Sequence, residues 1–177
     1  MKKEPPLVLP LISGRSSIRS FLPRPLEKKQ LERILSAGRL APSAKNRQPW
    51  RFVVIQGEEK KALLQQAAYG QEHVGSAGAV IGVCTTNVDY KMPNGEMAHL
   101  MDLSMAAAFM IIQTQAEGLG SCVVTGFDEA LVREILTVPY SMKVLMLLVI
   151  GYPDGDKLPA LQEQRKPLSR IISYEHW

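Results

Sequence analysis

The chain has 177 residues and a mass of 19.6 kDa, enough for one domain with a substantial buried core. Hydrophobic residues make up 46% and charged residues 21%, near the globular average, which excludes a mainly disordered chain. With 21 Lys and Arg against 17 Asp and Glu the net charge is +4, too mild to mark a nucleic-acid binder and suited to a small anionic ligand.

Residues 1–14 read as a proline-broken lead-in with one helical turn near 9–13. Its first ten residues hold no apolar stretch before a small-residue cleavage site, so no secretory leader is expected and the protein is read as soluble and cytoplasmic. An extended piece over 16–22 is stopped by Pro23 and Pro25. Residues 26–40 read as an amphipathic helix: Leu31, Ile34, Leu35 and Leu40 recur at helical spacing, with Glu27 early and Arg39 late. Pro42 ends it, and a polar loop over 41–49 leads to a strand over 51–56. A helix over 58–68 and an apolar β-branched strand over 79–86 follow, and Pro93, Asn94 and Gly95 then break the pattern.

Residues 97–117 contain neither Gly nor Pro, and 105–112 are apolar on every side. Such a helix needs cover all round, so it is either central or a subunit interface. Gly118 and Gly120 are expected to stop it in left-handed conformations. A strand over 122–125, a helix capped by Asp128 and a strand over 144–152 complete the core. Residues 153–177, with three prolines and the pair Arg165 and Lys166, read as a tail that wraps. Alternating strands and helices point to an α+β or α/β domain. The longest apolar runs, 105–112 and 144–150, fall well short of the roughly 20 residues of a membrane span.

Cys84 and Cys122 are too few for a disulfide framework and lie in apolar runs, where a thiol acts as a small core hydrophobe. His73, His99 and His176 show no ligand spacing, so no metal centre is expected. Four polar clusters carry the functional signal. Arg15, Ser16, Ser17 and Arg19 combine guanidinium forks with hydroxyls, a trap for a phosphate dianion; an extended backbone would put Arg15, Ser17 and Arg19 on one face and Ile18 in the core. The loop Pro42, Ser43, Ala44, Asn46 and Gln48 is stiffened by prolines and rich in hydrogen-bonding groups, as suits a planar polar ligand. Val124, Thr125 and Gly126 end a short strand where backbone N–H groups can face a ligand. The Gly118 and Gly120 pair follows a helix and precedes a strand, the reverse of a dinucleotide fingerprint. Arg165 and Lys166 add a second basic cluster.

In this order the clusters resemble the nitroreductase family of FMN-dependent oxidoreductases over residues 11–172, a short member of that family. The carrying motifs are Arg-Ser-Ser-Ile-Arg-Ser-Phe, Ala-Pro-Ser-Ala-Lys-Asn-Arg-Gln-Pro-Trp-Arg-Phe, the alanine-rich helix, Gly-Leu-Gly-Ser before Gly-Phe-Asp, and Arg-Lys-Pro-Leu. The resemblance implies an α+β sandwich whose mainly antiparallel sheet is flanked by helices, in one domain over 1–177. Residues 1–10 are its lead-in, and 153–177 wrap a partner subunit. It implies a homodimer built on the long central helix, with an FMN site at the interface.

By similarity Arg15, Ser16 and Ser17 take the FMN phosphate and ribityl end, joined by Arg165 and Lys166. Arg19 reaches the pyrimidine edge, where a cation stabilises the charge left by hydride reduction. Pro42, Ser43, Ala44 and Asn46 contact the partner subunit's flavin, with Gln48 and Trp50 supporting the loop. Val124, Thr125 and Gly126 lie beside flavin N5, with the Thr125 amide bonded to it. Arg19 and Thr125 tune the flavin, and no side chain serves as nucleophile. Residues 69–94 are compact where longer relatives insert lid helices, so the substrate pocket is expected to be open. No cysteine cluster is present for an iron–sulfur module, so NADH or NADPH is the expected direct reductant.

The expected function is hydride transfer from NAD(P)H through the flavin to an electrophilic small molecule, such as a nitroaromatic or quinone, by a ping-pong sequence. The alternatives are a same-fold flavoenzyme with specialised chemistry (dehydrogenation, dehalogenation or flavin breakdown) and a non-catalytic flavin-binding dimer. With basic residues split between the two ends and no aromatic stacking series, neither nucleic acid nor membrane is an expected partner.

Overall fold

The computed structural model describes residues 8–155 and 165–177. Strands β1 (Trp50–Ile55), β2 (Ala79–Thr85), β3 (Gly120–Val124) and β4 (Lys143–Gly151) form a 4-stranded sheet in the order β1-β2-β4-β3, antiparallel throughout. Helices α2 (Lys28–Arg39) and α5 (Ala98–Ala116) cover one face; α3 (Glu58–Ala67), α4 (Glu72–Gly75) and α6 (Glu129–Ile135) cover the other. A single turn, α1 (Pro10–Ser13), precedes them. The fold is thus the α+β sandwich with an antiparallel sheet that the family resemblance implies.

Period-2 alternation feeds two cores at once. Along β2, Ala79, Ile81 and Val83 pack under α2 and α5, while Val80 and Cys84 pack under the other layer. A register shift between Val83 and Cys84 skips Leu145 in β4, and Val144 therefore shares a core with Leu147 and Val149. The burial makes both cysteines core residues, and it pushes the Cys84 thiol up to about 11.

The helix ends have local causes. A capping box between Glu27 and Gln30 starts α2, and the Asp128 carboxylate accepts the Ala130 and Leu131 amides at the start of α6. Gly118, at φ 70°, ends α5, with the Leu119 amide bonded to the Thr114 carbonyl and the Gly118 amide to that of Gln115. Gly120 plays no part in that cap: it is the first residue of β3, and a Cβ there would lie 2.6 Å from Ile18 Cγ1. The 4-residue α4 was not anticipated, being too short for a periodic signal.

The helix α5 buries only one face within its own chain. Leu103, Ala106 and Met110 have no exposure, whereas Leu100, Met101, Met105 and Phe109 keep 39–46%. The expectation of burial on all sides is therefore not met within one chain. Among the described residues no helix is long and apolar enough to cross a membrane.

Candidate functional site

The segment after α1 is stitched to the β3 edge of the sheet. The Ile18 amide donates to the Ser121 carbonyl at 2.9 Å, and Ser17 bridges Ser121 in parallel. Ile18 sinks into the core as expected, and this fixes its neighbours: Ser16 is buried, Arg15 and Ser17 are half-buried, and Arg19 is exposed. The positive charge of Arg19 is felt by His73 on α4 and by Cys122 on β3. No carboxylate pairs with Arg15 or Arg19 among the described residues. Cations without carboxylate partners are suited to an oxyanion.

Val124 is buried at the end of β3, and Thr125 and Gly126 are exposed just beyond it. The Thr125 amide donates no hydrogen bond to another described residue. The next carbonyl, that of Gly126, accepts from Gln71 Nε2 at 2.9 Å; Gln71 Nε2 also donates to the Ala68 carbonyl at 3.0 Å. A Cβ on Gly126 would meet only the Gln71 amide, at 3.7 Å, so the chain's own packing does not require glycine there. His73 is buried with Nε2 unpartnered, and burial first, then the charge of Arg19, hold its imidazole below the usual 6.5.

A second group forms at the start of α5. The Ala44 amide donates to Asp102 Oδ1 at 2.8 Å, the Gln48 amide to Ser43 Oγ at 3.0 Å, and Gln48 Nε2 to Asn46 Oδ1 at 3.1 Å. Pro42, Asn46 and Gln48 are exposed, whereas Trp50 is buried in the core below them. Lys45, Asn46 and Gln48 all have positive φ, at 53°, 53° and 50°. Arg165 and Lys166 are exposed. No hydrogen bond or ion pair joins this loop, or the tail, to the first group among the described residues. Among the described residues of one chain these side chains therefore fall into two separate polar groups and an exposed basic pair.

Residues 12–152 match the family described as Nitroreductase. The chain belongs to the nitroreductase family. A Thermus thermophilus relative named NADH dehydrogenase is 30% identical over 189 residues, covering 89% of this chain and 91% of that protein. A nitroreductase family protein from Clostridium difficile superposes with a TM-score of 0.85 at 32% identity, covering 94% and 97% of the two chains. A Clostridium difficile structure named FMN-dependent nitroreductase superposes at 0.82 with 26% identity over 94% and 98%.

Three residues outside the set the sequence singles out touch or face these clusters: Gln71 bonds the Gly126 carbonyl, His73 feels the charge of Arg19, and Asp102 accepts the Ala44 amide. Gln71 caps the start of α4 and His73 lies within it, with Gly70 at φ 78° as the turn that precedes them. Asp102 had a readable signal, as the only carboxylate in the 19-residue apolar α5. It is 4% exposed, and burying it demands the partner that the Ala44 amide supplies.

Proposed function

We propose that this chain is an FMN-dependent oxidoreductase that acts as a homodimer and takes hydride from NAD(P)H for delivery to an electrophilic small molecule by a ping-pong sequence. Family membership carries the class of reaction. The observation that carries the rest is the Arg15–Arg19 segment: two cations without carboxylate partners among the described residues, fastened at Ser121 to β3, the strand that leads to the Thr125 amide. The donor set fits FMN. Arg15, Ser16 and Ser17 suit its phosphate and ribityl hydroxyls, Arg19 and the orphaned His73 Nε2 lie within electrostatic reach of one another for the pyrimidine edge, and the Thr125 amide suits the ring nitrogen that gains hydride. When bound, FMN supplies a two-electron store that accepts and returns hydride. The protein's own work is to bind it, fix its plane and hold positive charge where the reduced ring becomes anionic.

The second copy enters through three features. The exposed Leu100, Met101, Met105 and Phe109 stripe of α5 is a ready isologous surface. The loop of Pro42, Ser43, Ala44, Asn46 and Gln48, unconnected to its own chain's first group, serves the partner's flavin in this reading. The outer edge of β1, bordered by a groove of about 390 Å³ lined by Leu35, Ser36, Arg39, Trp50, Arg51 and Phe52, is where the apolar tail residues of a second copy would lie. Leu168, Ile171, Tyr174 and Trp177 of that tail are exposed in the single chain, and residues 156–164 of the 153–177 extension lie outside the described residues. Arg165 and Lys166 would arrive at the phosphate with it.

An anaerobic visible titration of the FMN-loaded protein with NADH and with NADPH tests the redox reading. Bleaching of the flavin bands by either nucleotide is the predicted result, and its absence with both contradicts it. Arg15→Ala with Arg165→Ala is expected to release FMN, since each charge-assisted bond to the phosphate is worth roughly 1.5–3 kcal/mol. Stoichiometric FMN in that double variant would refute the phosphate assignment.

A further inference from the structure

The loop that follows α2 pays a conformational cost that its role as a connection does not explain. Lys45, Asn46 and Gln48 are non-glycine residues in the left-handed region, which Asn tolerates and which Lys and Gln rarely adopt. The hydrogen bonds to Asp102 and Ser43 hold the bend. Its result is that both of the loop's cations lie over one ring: Arg47 Cζ is 3.9 Å and Lys45 Nζ 5.5 Å from the centroid of Tyr90.

Two like charges over one ring repel, which a purely structural stack does not need. Neither is neutralised by a carboxylate among the described residues. The acids of the segment carrying Tyr90, Asp89 and Glu96, are exposed and pair with neither cation, and Lys91 adds a third positive charge. Stacking also leaves the planar edge of a guanidinium free, with its N–H fork available for a bidentate oxyanion. The unspent charge, the preset geometry and the free donors match one ligand chemistry.

We infer that Lys45 and Arg47, held against Tyr90, are the oxyanion-selecting rim of the substrate site, and that the favoured substrate carries a phosphomonoester or carboxylate that reaches this rim. This rests on the flavin reading through the position of the 42–48 loop. The phosphate source is the ribose 2′-phosphate of a nicotinamide nucleotide; the carboxylate source is an aromatic acid acceptor. Calorimetric titration of the FMN-loaded protein separates them, using NADP⁺ against NAD⁺ in one arm and benzoate against benzamide in the other. In at least one arm the more anionic ligand is expected to bind about ten-fold tighter or better, and Lys45→Gln with Arg47→Gln should bring that ratio to within about two-fold. The arm that responds names the source. Equal affinities in both arms of the wild type, or a preference that survives the double substitution, overturns the inference. FMN uptake is read separately from the visible absorbance per chain. A wild type that takes up no FMN defeats the flavin reading instead, and the same calorimetry on the flavin-free protein then decides the rim.

Discussion

The two faces of α5 have nearly the same composition and opposite fates. Leu103, Ala106 and Met110 are sealed against the sheet and α2, while Leu100, Met101, Met105 and Phe109 face outward at 39–46% exposure. Nothing local separates them, since both rows are apolar and both sit on one unbroken helix. The difference teaches that one row is completed by the fold, and in the proposed homodimer the other is completed by assembly. A helix apolar all round is therefore a statement about a dimer as much as about a domain.

The strongest way to break that comparison is to put a charge on the outer row. Ala108→Glu, at an exposed position beside Phe109, should give a folded monomer that has lost FMN, because an interface carboxylate would be buried without a partner. Sedimentation and the flavin absorbance per chain check it; a flavin-loaded monomer would sink the shared site. The inner row predicts a different kind of damage. Leu103→Ala leaves a cavity under the sheet and should cost about 2–5 kcal/mol of folding stability by urea unfolding, with the surviving dimer still able to bind FMN.

A smaller effect sharpens the same contrast by pH. His99, on the buried side of α5, is held below 6.5 by burial first and by Lys143 second, with Asp102 pulling the other way. Its folded value is lowered, so the unfolded chain takes up a proton first as pH falls. Stability is fully present above about 6.5 and declines below it. The urea midpoint should drop from about pH 7 to pH 5, and His99→Asn should flatten part of that slope. An unchanged slope in the variant would remove His99 from the account.

The long periodic elements were legible because burial imposes their pattern. The predicted helix over 97–117 is Ala98–Ala116, and the predicted strand over 144–152 is Lys143–Gly151. The basic-hydroxyl segment was also readable, since Ile18 had to go inward and took Ser17 to the edge of β3. The left-handed run at Lys45, Asn46 and Gln48 was not, because no glycine marks it and its cause is the distant Asp102 carboxylate. α4 escaped for a related reason: a 4-residue helix carries no period, and Gln71 gains its meaning only from the Gly126 carbonyl 55 residues away. Local chemistry could be read, and long-range hydrogen bonds could not.

The most direct test of the central claim is the mass of the native complex formed as FMN is titrated into the purified protein. A dimer carrying one FMN per chain, with no flavin on any monomer, is the expected result. A monomer that binds FMN as tightly as the dimer does would show that the site is complete within one chain, and would contradict the reading of both α5 and the 42–48 loop.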